Sequence, residues 1–395
     1  MIALRPIVSF CFVIVCAAGT LPEAASLSAG DRAAMGAEIE RLEKLLPTAP
    51  DKNTITYEIA RTWAAGKQWP QAVEWLRKAA ALNAGLDPSR DSIFAALRGS
   101  SEFDAILATV RDATPPIVHS RRSFQIAEGD LVPESMAYDA ARKQFYFGSM
   151  RKGKIIRCSA AGACANFASG LGEVLGLKIA SGALWLLSNS RNESALIRYD
   201  LASGALRKYP SSGSGHEFND LVIAPRSGDI YLTDTPAGAV WHLAPGAAEL
   251  ERLPQKFPFA NGITLSPDAR LLYVSTYPDG IHVLDLTSGA AAPIARPRDL
   301  CLAAIDGLYF YRGALVAIQN AIMTPRVARF TLSRDQRAIE RYQILERRNP
   351  LFDGVTTGVI AGDDLFYMAN IQDEKKSGFQ PIAVLKLHLQ AASLF

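Results

Sequence analysis

Phe259-Ala260-Asn261-Gly262-Ile263-Thr264-Leu265-Ser266-Pro267-Asp268-Ala269-Arg270-Leu271-Leu272-Tyr273-Val274 is the stretch that decides the fold. A short apolar run opens on Asn-Gly, a Ser-Pro-Asp turn interrupts it, and a second β-prone run follows at 271–274. A third run, Val283-Leu284-Asp285-Leu286, comes about ten residues later. The opening triplet has counterparts along the chain. In order they are Glu134-Ser135-Met136, Leu175-Gly176-Leu177, Asn219-Asp220-Leu221, Asn261-Gly262-Ile263, Asp306-Gly307-Leu308 and Thr357-Gly358-Val359, with starts 41, 44, 42, 45 and 51 residues apart. The second and third runs recur in step, as Gln144-Phe-Tyr-Phe, Ala183-Leu-Trp-Leu and Asp229-Ile-Tyr-Leu, and as Ile197-Arg-Tyr, Val240-Trp-His-Leu and Val384-Leu-Lys-Leu. A period of about 40–50 residues with several short strands and no helical stretch predicts a propeller, and six units predict six blades. A β/α barrel of similar period is disfavoured because no unit has a half with 3.6-residue periodicity.

Ahead of the repeats, 31–113 reads as helical. Ile39, Leu42, Leu45 and Leu46 recur at spacings of three and four, and two further amphipathic segments carry Tyr57, Ala60 and Trp63, then Trp69, Ala72, Leu76 and Ala79. The small and aromatic residues of these segments resemble one tetratricopeptide-type hairpin. The fold class is therefore mainly β: a six-bladed propeller over 131–390 preceded by a small helical, tetratricopeptide-like domain. Pro115-Pro116 marks a boundary at which the helical part should be separable.

Residues 1–25 carry one early Arg, an uncharged apolar core and Ala24-Ala25-Ser26, the plan of a signal peptide, so the protein is expected to be exported, periplasmic or secreted. No later stretch is long and apolar enough for a membrane span. A net charge of +3 from 42 basic and 39 acidic residues gives no field for nucleic acid. Of five cysteines, Cys11 and Cys16 fall in the leader and Cys301 stands alone in an apolar segment. Cys158 and Cys164 flank a hairpin turn at a spacing that permits a disulfide in an oxidising compartment.

Innermost propeller strands converge on the central channel, so equivalent repeat positions meet although 40 residues separate them. Glu134, Asn219, Asn261 and Asp306 share the first landmark position in four of the six units. Two carboxylates and two amides suit a hard divalent cation, Ca²⁺ before zinc or copper. Taken singly, Asn261-Gly262 and Asp306-Gly307 are also ordinary turn dipeptides.

The segments 259–274, Phe218-Asn219-Asp220, Pro133-Glu134 and Ile305-Asp306-Gly307 resemble the SMP-30/gluconolactonase/luciferin-regenerating-enzyme family of six-bladed propellers. The resemblance implies a metal site of Glu134, Asn261 and Asp306, a ligand contact at Asn219, and a lactonase or esterase in which Asp306 or a metal-bound water supplies the nucleophile or general base. Where that family often has Arg two residues before the first Asn, this chain has Glu217, and Ala260 and Ala269 replace its usual Pro and Gly. His216, in a Gly- and Ser-rich stretch just before Asn219, is a candidate substrate contact. The expected partner is a small lactone or ester. The rival reading is a non-catalytic propeller that binds a sugar or protein, with a structural metal and the helical domain as an interaction module. No Gly-x-Ser-x-Gly elbow supports a serine nucleophile.

Overall fold

The computed structural model describes residues 28–49, 51–277, 279–371 and 379–389. The signal peptide expected at 1–25 lies outside them. Six four-stranded antiparallel sheets are arranged as blades, and in the first five the strands run from the channel outward in chain order. The first blade runs Pro133–Asp139, Gln144–Ser149, Lys154–Ser159 and Cys164–Ser169. Innermost strands of the next five are Glu173–Ala180, Phe218–Ile223, Ile263–Leu265, Ile305–Tyr311 and Gly358–Ala361. The six repeats are thus the six blades.

Burial explains why the second run was the clearest signal in the sequence. Leu271–Thr276 and Ala314–Gln319, each the second strand of its blade, are buried at every position, because both faces are covered by neighbouring blades. Such strands read as continuous apolar runs instead of alternating ones. Outermost strands such as Leu206–Pro210 are mostly exposed. Between blades, side chains interdigitate, as where Leu187 and Leu196 of the second blade meet Phe218, Leu232 and Trp241 of the third. Each fully buried side chain of this kind contributes about 1.5–3 kcal/mol.

Ring closure uses a strand ahead of the expected start at 131. Arg121–Ile126 pairs antiparallel with Ile382–His388 and becomes the outer strand of the sixth blade, so the first and last parts of the ring are joined by backbone hydrogen bonds. Its sequence, Arg-Arg-Ser-Phe-Gln-Ile, is too polar to announce a strand, because an outer strand faces solvent. The disulfide is formed as expected: Cys158 and Cys164 face each other across the hairpin, with Cα atoms 4.0 Å apart. Cys301 is free and buried.

Among the described residues four α-helices precede the ring: α1 (Ala29–Leu45), α2 (Lys52–Ala65), α3 (Trp69–Ala81) and α4 (Ser101–Ala113). Asp51 caps α2 by accepting from Thr54 N, and Ser100 caps α4 by accepting from Phe103 N. The small residues Ala60, Ala64, Ala72 and Ala79 let α2 and α3 pack closely. The helices do not stand apart. Tyr57, Leu76, Phe94, Phe103 and Ile106 form one apolar core with Cys301, Ala303, Ile322 and Met323 of the ring. Polar ties fasten the same junction: Asn53 Nδ2 donates to Asp299 O (3.0 Å), Arg326 Nη1 to Ala84 O (3.1 Å) and Thr324 N to Gly85 O (2.6 Å). The helical region is thus packed against the ring. Among the described residues no helix is long and apolar enough to cross a membrane.

Candidate functional site

The inner strands do not run straight to their ends. Ladder registers shift between Pro133 and Ser135, between Phe218 and Leu221, and between Ile305 and Gly307. Glu134, Asn219 with Asp220, and Asp306 are the residues skipped at these bulges. A bulge re-aims a side chain that the pleat would otherwise send into the blade interface. Two residues before each of Glu134, Asn261 and Asp306 stands a non-glycine residue with left-handed backbone: Val132 (φ 46°), Phe259 (φ 55°) and Ala304 (φ 55°). For a β-branched residue such as Val132 this conformation is unfavourable, and strain of this sort persists where the surroundings impose it.

The turn-dipeptide alternative fails for the same segments. Gly262 and Gly307 both lack positive φ, so neither supplies the left-handed residue of a hairpin turn. Gly262 is needed for space: a Cβ there would lie 2.3 Å from the carbonyl oxygen of Asp306. The inner strands of adjacent blades touch at this level, which brings the candidate residues together.

Glu134, Asn219, Asn261 and Asp306 all line one cavity at the channel mouth, with Lys178, Asp220, Tyr309, Asn320 and Thr357. His216 is not among the lining residues. Its Nδ1 lies 2.6 Å from Asp234 Oδ2, its ring stands edge-on to Trp241, and Ser212 O is 3.2 Å from Nε2. Glu217 also lies outside the lining and near Glu173, whose carboxyl is raised by burial and by the Glu217 charge.

Each candidate backbone is pinned by a polar residue from the blade before it. Asn189 both donates to Phe218 O (2.8 Å) and accepts from Phe218 N (2.9 Å), Thr233 Oγ1 donates to Asn261 O (2.7 Å), and Ser275 Oγ donates to Ile305 O (3.0 Å). Asn320 Nδ2 donates to Val355 O (2.9 Å) and to Asp306 Oδ2 (2.7 Å), and Thr357 Oγ1 donates to Glu134 O (2.8 Å). Apart from Thr357, which holds the landmark position of the sixth repeat, sequence reasoning missed these supports. Their signal was present as the polar pairs that end successive second strands, Ser188-Asn189, Thr233-Asp234, Ser275-Thr276 and Gln319-Asn320.

Glu134 and Asp306 lie deep in the protein with part of their surface open to the cavity. Burial, and then the charge of Asp306, pushes the Glu134 carboxyl well above the usual range. Asp306 is raised to about 6, chiefly by burial; the Asn320 amide draws it down, the Asp220 charge pushes it up, and the Asn261 amide draws it down further. Two deep-set carboxylates at close quarters leave an excess of negative charge that a cation would relieve. Asn261 Oδ1 is buried with no hydrogen-bond partner in the structure. A neutral oxygen left unpaired beside two carboxylates is what a hard cation accepts as a ligand. The residues therefore fit a divalent ion. No group of three or more His, Cys, Asp or Glu side chains able to hold one is found among the described residues, so amides would have to complete the donor set.

A family model described as SMP-30/Gluconolactonase/LRE-like region matches residues 132–309. No curated protein matches the chain. Among solved structures, a gluconolactonase from Xanthomonas campestris aligns with 69% of this chain and 94% of its own at 19% identity and a TM-score of 0.50. The PQQ-bound aldose sugar dehydrogenase from Streptomyces coelicolor aligns with 69% of this chain and 99% of its own at 16% identity and the same TM-score of 0.50. A hydrolase and a dehydrogenase match equally well, so these likenesses show the fold alone. The family match is the more telling, because it spans Glu134, Asn219, Asn261 and Asp306 together: the chain carries an SMP-30/gluconolactonase/LRE-like region within a six-bladed propeller.

Proposed function

We propose that this protein is an exported, metal-dependent hydrolase that opens a lactone or ester at the mouth of the propeller channel, with Ca²⁺ or another divalent ion held by Glu134, Asn261 and Asp306. The observation that carries the reading is the meeting of two deep-set, partly exposed carboxylates with the unpaired Oδ1 of Asn261 in one cavity. When bound, the ion polarises the carbonyl and stabilises the negative charge that develops on its oxygen. Asp306 accepts a proton from the attacking water and delivers it to the departing alkoxide, as water's oxygen bonds to the carbonyl carbon and the carbon–oxygen bond to the leaving group breaks. Asn219 projects from the next bulge into the same cavity and orients the substrate. Lys178, 3.4 Å from Asp220, supplies a positive group there. Export is supported by the leader-like first 25 residues and by the Cys158–Cys164 bond, which oxidising compartments favour.

A panel of lactones and aryl esters, assayed with the full mature chain before and after chelation, tests the reading. The expected result is hydrolysis that chelator abolishes and added calcium restores. Absence of turnover on every member with calcium bound would return the site to the non-catalytic, ligand-binding reading.

A further inference from the structure

The landmark residues stand near the starts of their inner strands, so residues further along those strands line the channel beneath them. Three residues past Leu175 and Asp306 come Lys178 and Tyr309, from the second and fifth blades, which face each other in a ring of six. Lys178 Nζ lies 6.0 Å from the centroid of the Tyr309 ring, so these two side chains meet across the channel just below the candidate site.

Tyr309 does not stay at its own level. Its ring folds back along the strand over Gly307, where a Cβ would lie 2.5 Å from Oη, 3.0 Å from Cε2 and 3.1 Å from Cζ. Glycine at 307 thus makes room for the ring, and the hydroxyl is carried up to the residue next to Asp306. There it also meets the sixth blade: Gly358 N, at the start of that blade's inner strand, donates to Oη at 2.6 Å.

A phenol has one hydrogen to give and two lone pairs to offer. Gly358 N fills one lone pair, and among the described residues nothing accepts the hydroxyl hydrogen. Tyr309 is partly exposed and lines the cavity. Burial, and then the charge of Asp220, raises its hydroxyl well above the ordinary value; the Gly358 bond draws it down and the Asp306 charge pushes it up. The group therefore keeps its proton at neutral pH and is a donor without an acceptor at the edge of the site.

Hydrolysis of an ester or lactone builds negative charge on two oxygens. The ion takes the charge on the carbonyl oxygen. The leaving oxygen gains charge as its bond to the carbonyl carbon breaks, and a donor already fixed in place stabilises that charge without reorganisation. We infer that Tyr309 is a further catalytic residue, whose hydroxyl donates a hydrogen bond to the leaving oxygen of the substrate. Tyr309 keeps its own proton throughout; the proton that the leaving alkoxide takes up is the one Asp306 received from water. The inference rests on the hydrolase reading for the reaction itself.

The test swaps the leaving atom. An oxygen ester or lactone that the calcium-loaded full chain hydrolyses is paired with its thioester or thiolactone, whose departing thiolate needs no such donor. Tyr309→Phe should lower kcat about 10–100-fold on the oxygen member and less than about 3-fold on the sulfur member, with KM and the calcium-induced rise in melting temperature retained. Should Tyr309→Phe fail to fold, Gly307→Ala, which displaces the hydroxyl without removing it, should show the same selective loss. Equal losses on both members, or none on either, would overturn the inference and leave the hydrolase reading intact. Where the wild type turns over the oxygen member alone, kcat lost at unchanged KM upholds the inference, and any other pattern overturns it. A wild type inactive on both members overturns the hydrolase reading, and the inference falls with it.

Discussion

Asp306 is asked to be both an ion ligand and a base, and its surroundings make that combination testable. The carboxyl is raised to about 6 because burial and the Asp220 charge outweigh the two amides that favour its ionised form. In the unfolded chain an Asp titrates near ~3.9. A raised folded value means that the metal-free native state binds the proton more tightly than the unfolded chain. Its contribution to stability is complete below about pH 4 and is lost as pH rises through about 6. Glu134 shifts in the same direction. The metal-free protein should therefore lose melting temperature as pH is raised across that window, and calcium should offset the loss by binding the native state. A melting series at fixed ionic strength, with chelator and with calcium, checks both parts. Asp306→Asn separates the roles further. Removing one of two crowded charges should raise the melting temperature of the metal-free protein above pH 6, abolish most of the calcium-induced rise, and lower kcat by at least ~100-fold. Asn219→Ala should act mainly on KM, with the calcium-induced rise retained; a lost calcium response there would assign Asn219 to the ion instead of the substrate.

At the scale of the element, the informative feature is the place where one inner strand meets the next. A Cβ on Gly262 would stand 2.3 Å from the backbone oxygen of Asp306, and backbone cannot move aside as a side chain can. Gly262→Ala should cost about 1–3 kcal/mol in denaturant unfolding and weaken calcium binding, because the strand carrying Asp306 has to shift. Gly36→Ala in α1, where a Cβ meets nothing within 4 Å, is the control and should be neutral or mildly stabilising, by up to about 1 kcal/mol. The same junctions show what could be read beforehand. The six-fold recurrence and the four candidate residues were legible because a propeller repeats its backbone, and a repeated backbone repeats its residue types. The bulges at Glu134, Asn219 and Asp306 were not legible, since a bulge leaves no mark beyond one residue out of alternation. His216 was drawn toward the site by nearness in sequence to Asn219, but Asp234 and Trp241 hold its ring elsewhere. The closing strand Arg121–Ile126 stayed hidden because its partner, Ile382–His388, lies at the far end of the chain, and local pattern carries no information on such pairing.

At the scale of the whole molecule, the helices and the ring share a core that neither has alone. Cys301, Ala303, Ile322 and Met323 of the ring are buried against Tyr57, Leu76, Phe94 and Phe103. Removing everything before Pro116 leaves all six sheets complete, since Arg121–Ile126 is retained, but uncovers that apolar patch and takes Arg61 from the lining of the cavity. A chain starting at Pro116 should keep the β-type circular dichroism of the ring, melt at a lower temperature than the full chain, and self-associate through the uncovered surface. A chain starting at Gly129 lacks the closing strand as well. It leaves the sixth blade with three strands and an unpaired edge along Ile382–His388, and should lose further stability or fail to fold. The comparison of the two truncations with the full chain separates two roles of the N-terminal 128 residues, covering the site and closing the ring. If the chain starting at Pro116 melts with the full chain and stays monomeric, the helical module contributes nothing to the ring's stability. Its contact with the cavity through Arg61 would then be the only role that the shared core serves.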